Sequence, residues 1–248
     1  MPNMKVKELT GILAMTASIA TGAFAVDYQM DTFKIKSGKE VVISAIKHAS
    51  LRIQYEGLEI QVDPVAEYAP ATDYSTFPKA DIVLVTHEHF DHFDRGAIAA
   101  LKKDGTDVIA NPAVQKMLGS GTAMTNGESC VVKGIKLDAV PAYNTSPGRT
   151  QFHPKGRDNG YVLTIDGLRI YIAGDTEDIP EMAGVEEIDV AFLPCNQPYT
   201  MTPEQVAKAA RAVMPKTLFP YHYSQTPVTR VAELLAGSGV DVRIRNYQ

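Results

Sequence analysis

The run Ala80-Asp81-Ile82-Val83-Leu84-Val85-Thr86 passes without a break into His87-Glu88-His89-Phe90-Asp91-His92. Four aliphatic residues in succession after an aspartate read as a strand buried on both faces, the kind found inside α/β sheets. Open sheets of that kind carry their sites just past the carboxyl ends of the strands, so the histidines are expected on a strand-to-helix loop. Three of the six histidines in the 248 residues fall within six positions. A random chain of this composition would hold His-x-His-x-Asp-His at a rate of about 2 × 10⁻⁴.

Around that segment the chain alternates short β-branched runs with turn signals. Strands are expected in Phe33–Ser37, Val41–Ile46, Ser50–Glu56 and Leu58–Pro64, with a hairpin at Glu56-Gly57. Asp94 suits the N-cap of a helix to Lys103, and Pro112 opens a second helix after a strand at Asp107–Asn111. Strands are also expected around Cys130–Val132 and Ile135–Val140. The polar stretch from Pro141 to Gly160 follows neither hydrophobic period and reads as a long functional loop. Thereafter a hairpin turns at Asp166-Gly167, Glu187–Pro194 is a buried strand, and Thr202-Pro203-Glu204-Gln205 is a capping box opening a helix to Val213. Lys216–Tyr223 is a strand reaching His222, followed by a helix over Val228–Ala236 and a last strand near Val240–Ile244. No sequence repeat is visible. A strand-rich half followed by strand-helix alternation suggests two sheets with helices outside.

Neutral imidazole suits zinc and other borderline first-row ions, while carboxylate adds charge and can bridge two of them. His87 and His89 alternate on an extended segment and can chelate one ion; Asp91 and His92, past the bend, can face a second. Aspartate at position 91 rules out the His-Glu-x-x-His helix of zinc peptidases. Four ligands do not close two metal sites, and more donors stand downstream: His153 in the polar loop, Asp175 after a hairpin strand and His222 after another. His48 is then left as a structural imidazole hydrogen-bonded beneath the site. Tyr143, Tyr199 and Lys155 are loop side chains able to touch a substrate. Arg149, Lys155 and Arg157 could meet a phosphate or carboxylate, or could be solvated charges.

In this order, His87-x-His89-x-Asp91-His92, Ala173-Gly174-Asp175-Thr176 and Pro220-Tyr221-His222-Tyr223 resemble the metallo-β-lactamase-fold hydrolase superfamily. The stretch Ile46–Pro64 is similar to the branch holding N-acyl-phosphatidylethanolamine phospholipase D and the ascorbate-phosphate lactonases. The resemblance implies an α/β architecture, an αββα sandwich of two mixed β-sheets with helices on the outer faces. It also implies two divalent metal ions, zinc most commonly, with manganese or iron in some branches. His87 and His89 would bind the first ion, Asp91 and His92 the second, with Asp175 bridging and His222 completing the second site. Relatives carry the third histidine of the first site directly after a Val-Pro-Ala segment, where this chain has Asn144. His153 from the loop, Asn144 or water must fill that position. Asp63 matches the family's early Asp-Pro and would orient a ligand histidine. Two cations sharing Asp175 would lower the pKa of a water between them, and Asp91 would orient it or take its proton. The expected activity is hydrolysis of an ester, lactone, amide or phosphodiester in a small molecule or lipid, anionic if the loop cations take part. The rival reading is an exported metal-binding scaffold of the same fold without turnover.

A net charge of -5 argues against a nucleic-acid partner, which needs a clustered basic surface. The interval between Asp175 and His222 has no room for the insertion of the superfamily's nucleases. Lys5 and Lys7 precede Gly11–Ala25, which is apolar and ends in Ala-Phe-Ala, the pattern of a secretory signal peptide over residues 1–25. That run is too short for a stable membrane span. The expected organisation is therefore one hydrolase domain over residues 26–248, periplasmic or secreted. Export permits disulfides, and pairing of Cys130 with Cys195 stays open.

Overall fold

The computed structural model describes residues 28–68 and 70–247; the signal-peptide reading of residues 1–25 lies outside them. Two seven-stranded sheets form, and neither borrows a strand from the other. The first contains β1 (Met30–Lys34), β2 (Glu40–Lys47), β3 (Ser50–Tyr55), β4 (Leu58–Val62), β5 (Ile82–Val85), β6 (Asp107–Ala110) and β7 (Thr122–Ala123), in sequence order. The second contains β8 (Ser129–Val132), β9 (Ile135–Ala142), β10 (Asp158–Ile165), β11 (Leu168–Ile172), β12 (Val190–Pro194), β13 (Thr217–Tyr221) and β14 (Asp241–Val242), again in order. In each sheet the first four strands pair antiparallel and the last three are added in parallel. The pairing scheme thus repeats although the sequence does not.

Alternation along the strands explains the layers. Ile82 and Leu84 of β5, Tyr161 and Leu163 of β10, and Val190 and Phe192 of β12 meet in one central cluster between the sheets. Their neighbours face outward: Val83 and Val85 join a cluster with Ile98, Leu101 and Val114, while Ala191 and Leu193 join one with Val206, Ala210 and Val231. Those last residues belong to helices α1 (Arg95–Leu101), α2 (Pro112–Leu118), α3 (Pro203–Val213) and α4 (Thr229–Leu234). The result is the expected αββα sandwich, with helices covering the outer faces.

Local signals act as anticipated at the helix starts. Asp94 accepts from the backbone N–H groups of Gly96 and Ala97, and Asn111 accepts from that of Val114. Thr202 and Gln205 form the reciprocal capping box of α3. The long polar loop is shorter than its composition suggests. β9 runs on to Ala142 and β10 begins at Asp158, with Pro141 opposite Asn159. β8 pairs β9 only as far as Asp138, so Pro141 sits beyond it, where a missing N–H costs little. Both cysteines are free: Cys195 is buried in the outer cluster under α3, and Cys130 packs at the rim of the central one. Among the described residues no helix is long and apolar enough to cross a membrane.

Candidate metal centre

The donors gather where five strands end. Thr86 to His92 follow β5, His48 follows β2, Asp63 follows β4, Asp175 lies three residues past β11, and His222 comes directly after β13. His48, Asp63 and His222 have left-handed backbones, with φ of 45°, 42° and 52°. Such conformations cost on the order of 1–3 kcal/mol each and persist only where the surroundings impose them. Here the backbone itself does so: His222 N–H donates to the His48 carbonyl at 3.1 Å, and Asp63 N–H to that of Leu84 at 2.9 Å. Gly174, also left-handed at φ 65°, has no space for a side chain, since a Cβ would lie 2.8 Å from the Asn159 carbonyl oxygen. Gly174→Ala should therefore destabilise the protein by about 2–4 kcal/mol and displace the adjoining Asp175. A fall in both melting temperature and metal affinity would show it; an unchanged affinity would refute the displacement.

Three overlapping donor sets result: His87, His89 and His153; His87, His92 and Asp175; and His48, Asp91, His92 and His222. Within each set, one ligand atom per residue lies within 4.8 Å of the others. Asp175 stands between the sets. Its Oδ1 is 3.3 Å from His92 Nε2, and its Oδ2 is 3.4 Å from His153 Nε2 and 3.2 Å from His222 Nε2.

The outer nitrogens of three imidazoles are already held. Asp63 Oδ2 lies 2.8 Å from His92 Nδ1, and the same carboxylate accepts from Thr86 N–H at 2.8 Å and Thr86 Oγ1 at 2.7 Å. Thr86 Oγ1 is 3.0 Å from His87 Nδ1, and Asp158 Oδ2 is 2.9 Å from His153 Nδ1. Arg157 in turn grips Asp158 through Nε at 2.7 Å. A carboxylate on Nδ1 fixes the tautomer with its proton there, so Nε2 presents a lone pair inward. His87 Nε2, His92 Nε2, Asp175 Oδ1 and both ring nitrogens of His222 are buried without a hydrogen-bond partner. Unsatisfied buried polar atoms are rare and costly, and this number among side chains of the candidate donor sets fits bound cations. The Asn144 amide donates instead to the carbonyls of Tyr199 and Arg149, while His153 reaches the cluster.

Electrostatics point the same way. Burial holds the His87 imidazole well below its usual pKa, reinforced by the His92 ring beside it. Burial likewise lowers His89, helped by His153 and Arg157. Burial would raise Asp175, but His222 and His92 outweigh it and carry the carboxyl well below its ordinary range. Asp91 is lowered for the same reason, its neighbours His92, His222 and His48 overcoming burial. Burial disfavours a charged His92, yet Asp175 and Asp91 hold its pKa well above normal. One buried and one partly buried carboxylate thus demand positive charge, and the residues lining the cavity above them include no Lys or Arg.

His48 is buried and hydrogen-bonded within the site. Its Nε2 lies 3.1 Å from Asp91 Oδ2, and its ring centroid is 3.8 Å from that of His222. Burial, and then His222, lower its pKa to about 4, so it is a neutral donor to Asp91 at pH 7. The expected substrate contacts divide. Tyr199 lines the cavity, whereas Tyr143 is buried with its hydroxyl on Glu181. Lys155 pairs with that same glutamate at 2.7 Å and does not face the centre. Thr86 and Asp158, which orient two of the histidines, carry no motif of their own.

A cavity of about 540 Å³ opens over the centre, walled by Tyr68, Phe90, Phe152 and Tyr199. Residues 42–222 match the family described as the beta-lactamase superfamily domain. The chain belongs to that superfamily. Fourteen strands in two mixed sheets agree with it, as do the relatives. A metal-dependent hydrolase of Thermococcus onnurineus is 32% identical over 197 residues, covering 75% of this chain and 86% of that protein. The crystal structure of a protein described as a metal-dependent hydrolase from Parabacteroides distasonis is 58% identical, with a TM-score of 0.87 over 90% of this chain and all of that one. Igni18, a metallo hydrolase of Ignicoccus hospitalis, shares the fold at 24% identity and a TM-score of 0.70, over 83% of this chain and 95% of that one. This superfamily member is a metal-dependent hydrolase.

Metal removal follows as a test. Binding to the folded state alone stabilises by about 4 kcal/mol at a thousandfold excess over Kd. Chelator should lower the melting temperature by roughly 10 °C, and zinc or manganese should restore it. Equal melting curves with and without chelator, after metal analysis confirms removal, would contradict the assignment of this cluster.

Proposed function

We propose that two divalent cations bind here, zinc foremost, and that the protein hydrolyses an uncharged carboxylic ester or lactone. The observation that carries the proposal is Asp175, set between donors from both sheets with its Oδ1 unpartnered. In the proposed assignment His87, His89 and His153 hold one ion, Asp91, His92 and His222 the other, and Asp175 both. When bound, the cations would supply a lowered water pKa and stabilise negative charge developing on the carbonyl oxygen. The chain's own groups do the rest. Asp91 contacts His48 and His222 through Oδ2, which leaves Oδ1 to orient a nucleophile or accept its proton. Asp63, Thr86 and Asp158 keep the imidazoles aimed inward. Tyr68, Tyr199 and Asn196 are the uncharged polar side chains available to a substrate in the cavity.

The charge of the substrate follows from the loop cations. Arg149 binds the Gln197 side-chain carbonyl and faces Glu177; Lys155 is paired with Glu181; Arg157 is paired with Asp158 and Glu88. Each cation that could have met a phosphate is thus engaged by an internal acceptor. The composition of residues 1–25 supports export, and with it a substrate met outside the cytoplasm.

The test uses purified protein loaded with zinc or manganese and offered 4-nitrophenyl acetate, γ-butyrolactone and bis(4-nitrophenyl) phosphate. Ester or lactone turnover that chelator abolishes, and that His89→Ala lowers at least a hundredfold, is the expected result. Preference for the phosphodiester would overturn the substrate class. Full metal content without turnover on any of the three would favour the scaffold reading.

A further inference from the structure

Phe90 is a phenyl ring between two metal-cluster residues, yet its side chain is 75% exposed. Beyond it lies a second cavity of about 730 Å³, which shares Tyr68, Glu88 and Phe90 with the cavity over the metal centre. Its remaining lining includes Val65, Phe93 and Met117, and Met117 is 44% exposed. Exposed apolar surface continuous with an active site marks a binding surface more often than isolated exposed residues do.

Three of the four charged groups along this groove are engaged elsewhere, and the fourth, Glu67, is exposed at the surface. Asp94 accepts from Gly96 and Ala97 at the start of α1 and from Ala66 N–H at 2.8 Å. Arg95 donates to the Met117 carbonyl, and Glu88 pairs with Arg157 and accepts from Asn111. What is left to an occupant is the hydrocarbon of Val65, Phe90, Phe93 and Met117, with Glu67 exposed beside it. The near wall is also fixed: the Lys47 ammonium donates to the carbonyls of Ala66, Tyr68 and Pro70 at 2.5–2.9 Å, holding the loop that carries Tyr68, whose ring lies 5.8 Å from that of Phe90.

We propose that this groove takes an unbranched alkyl arm of the substrate, which passes over Phe90 from the reacting carbonyl, so that the natural substrates are medium- to long-chain acyl esters or alkyl-substituted lactones. The proposal rests on the ester or lactone reading above. Phe90 is then the residue that sets chain-length preference, because the arm must cross it to bury itself. Each buried methylene should improve transition-state binding roughly threefold until the groove is filled.

The experiment has two arms. The first measures kcat/KM of the zinc-loaded protein for 4-nitrophenyl esters from C2 to C12. A rise of about threefold per methylene between C4 and C10 is expected, and Met117→Asp should reduce the C10-to-C2 ratio at least tenfold. Val131→Asp, an exposed position remote from the groove, should leave that ratio alone. The second arm needs no turnover: calorimetry of the metal-free protein with 1-butanol and 1-decanol should show decanol binding at least a hundredfold tighter, with Met117→Asp abolishing the difference. Turnover with a flat or falling chain-length profile overturns the groove and leaves the hydrolase reading intact. Decanol binding without turnover of any ester keeps the groove and sinks the ester reading. Equal affinity for the two alcohols overturns the groove whatever the esters do.

Discussion

Asp175→Ala should lower kcat/KM by on the order of 10³-fold and strip the protein of most of its bound metal. The side chain is almost wholly buried, and its two oxygens face His92, His153 and His222 at 3.2–3.4 Å. Without it, three imidazoles share a desolvated space with one carboxylate fewer, and no lining Lys or Arg changes that balance. Metal-free Asp175→Ala should nevertheless fold, since no hydrogen bond of the framework ends on Oδ1. Circular dichroism and elemental analysis of the same sample separate the two effects. A folded Asp175→Ala protein with full metal and near-normal turnover would remove the basis of the proposed mechanism.

Asp63 carries the second large effect, and it falls on the frame more than on the chemistry. The residue is fully buried and accepts from Thr86 N–H, Thr86 Oγ1 and His92 Nδ1. Asp63→Ala orphans all three donors and should cost about 3–5 kcal/mol, a drop of roughly 10 °C in melting temperature. Asp63→Asn is the sharper variant. It can still accept from Thr86, but an amide N–H directed at His92 Nδ1 moves the ring proton to Nε2, the atom needed for metal. That variant should fold, melt within a few degrees of the parent without metal, and bind zinc ten- to a hundredfold more weakly. Zinc affinity equal to the parent's would show that Asp63 does not set the tautomer.

Most of the fold could be read along the chain because its elements are locally consistent. Asp94, Asn111 and the Thr202–Gln205 box each begin a helix where their side-chain chemistry says one should begin. The donor set was legible for a similar reason: His87 to His92 lie within one turn of backbone, and Asp175 and His222 end runs of apolar residues. The opening of β10 was not legible. Asp158, Asn159 and Gly160 look like loop, yet each is buried for a reason that lies elsewhere in the fold. Asp158 serves His153 and Arg157, Asn159 bonds the Met124 carbonyl, and Gly160 lies where a Cβ would come within 2.8 Å of the Ala173 carbonyl oxygen. The place of His48 beside His222 is hidden in the sequence for a related reason. A lone histidine after a strand says nothing about its neighbours until the left-handed turns at His48 and His222 bring the two rings together. The loop arginines, open in sequence between anion contacts and solvated charges, meet internal acceptors: Arg149 meets Gln197 and Glu177, and Arg157 meets Asp158 and Glu88.

The shared pairing scheme makes Asp63 and Asp175 counterparts, each placed just beyond the fourth strand of its own sheet. One of them accepts from a hydroxyl, an amide and a ring nitrogen; the other faces the ring nitrogens of His92, His153 and His222 alone, at 3.2–3.4 Å. The difference between scaffold and reagent is therefore made by company and not by residue type: the Thr86 hydroxyl turns the first aspartate into a bracket, whereas the Thr176 hydroxyl turns to the carbonyls of Tyr143 and Glu177 and leaves the second among imidazoles. A mutation that gave Asp175 a hydroxyl of its own would disarm the protein without touching a single histidine.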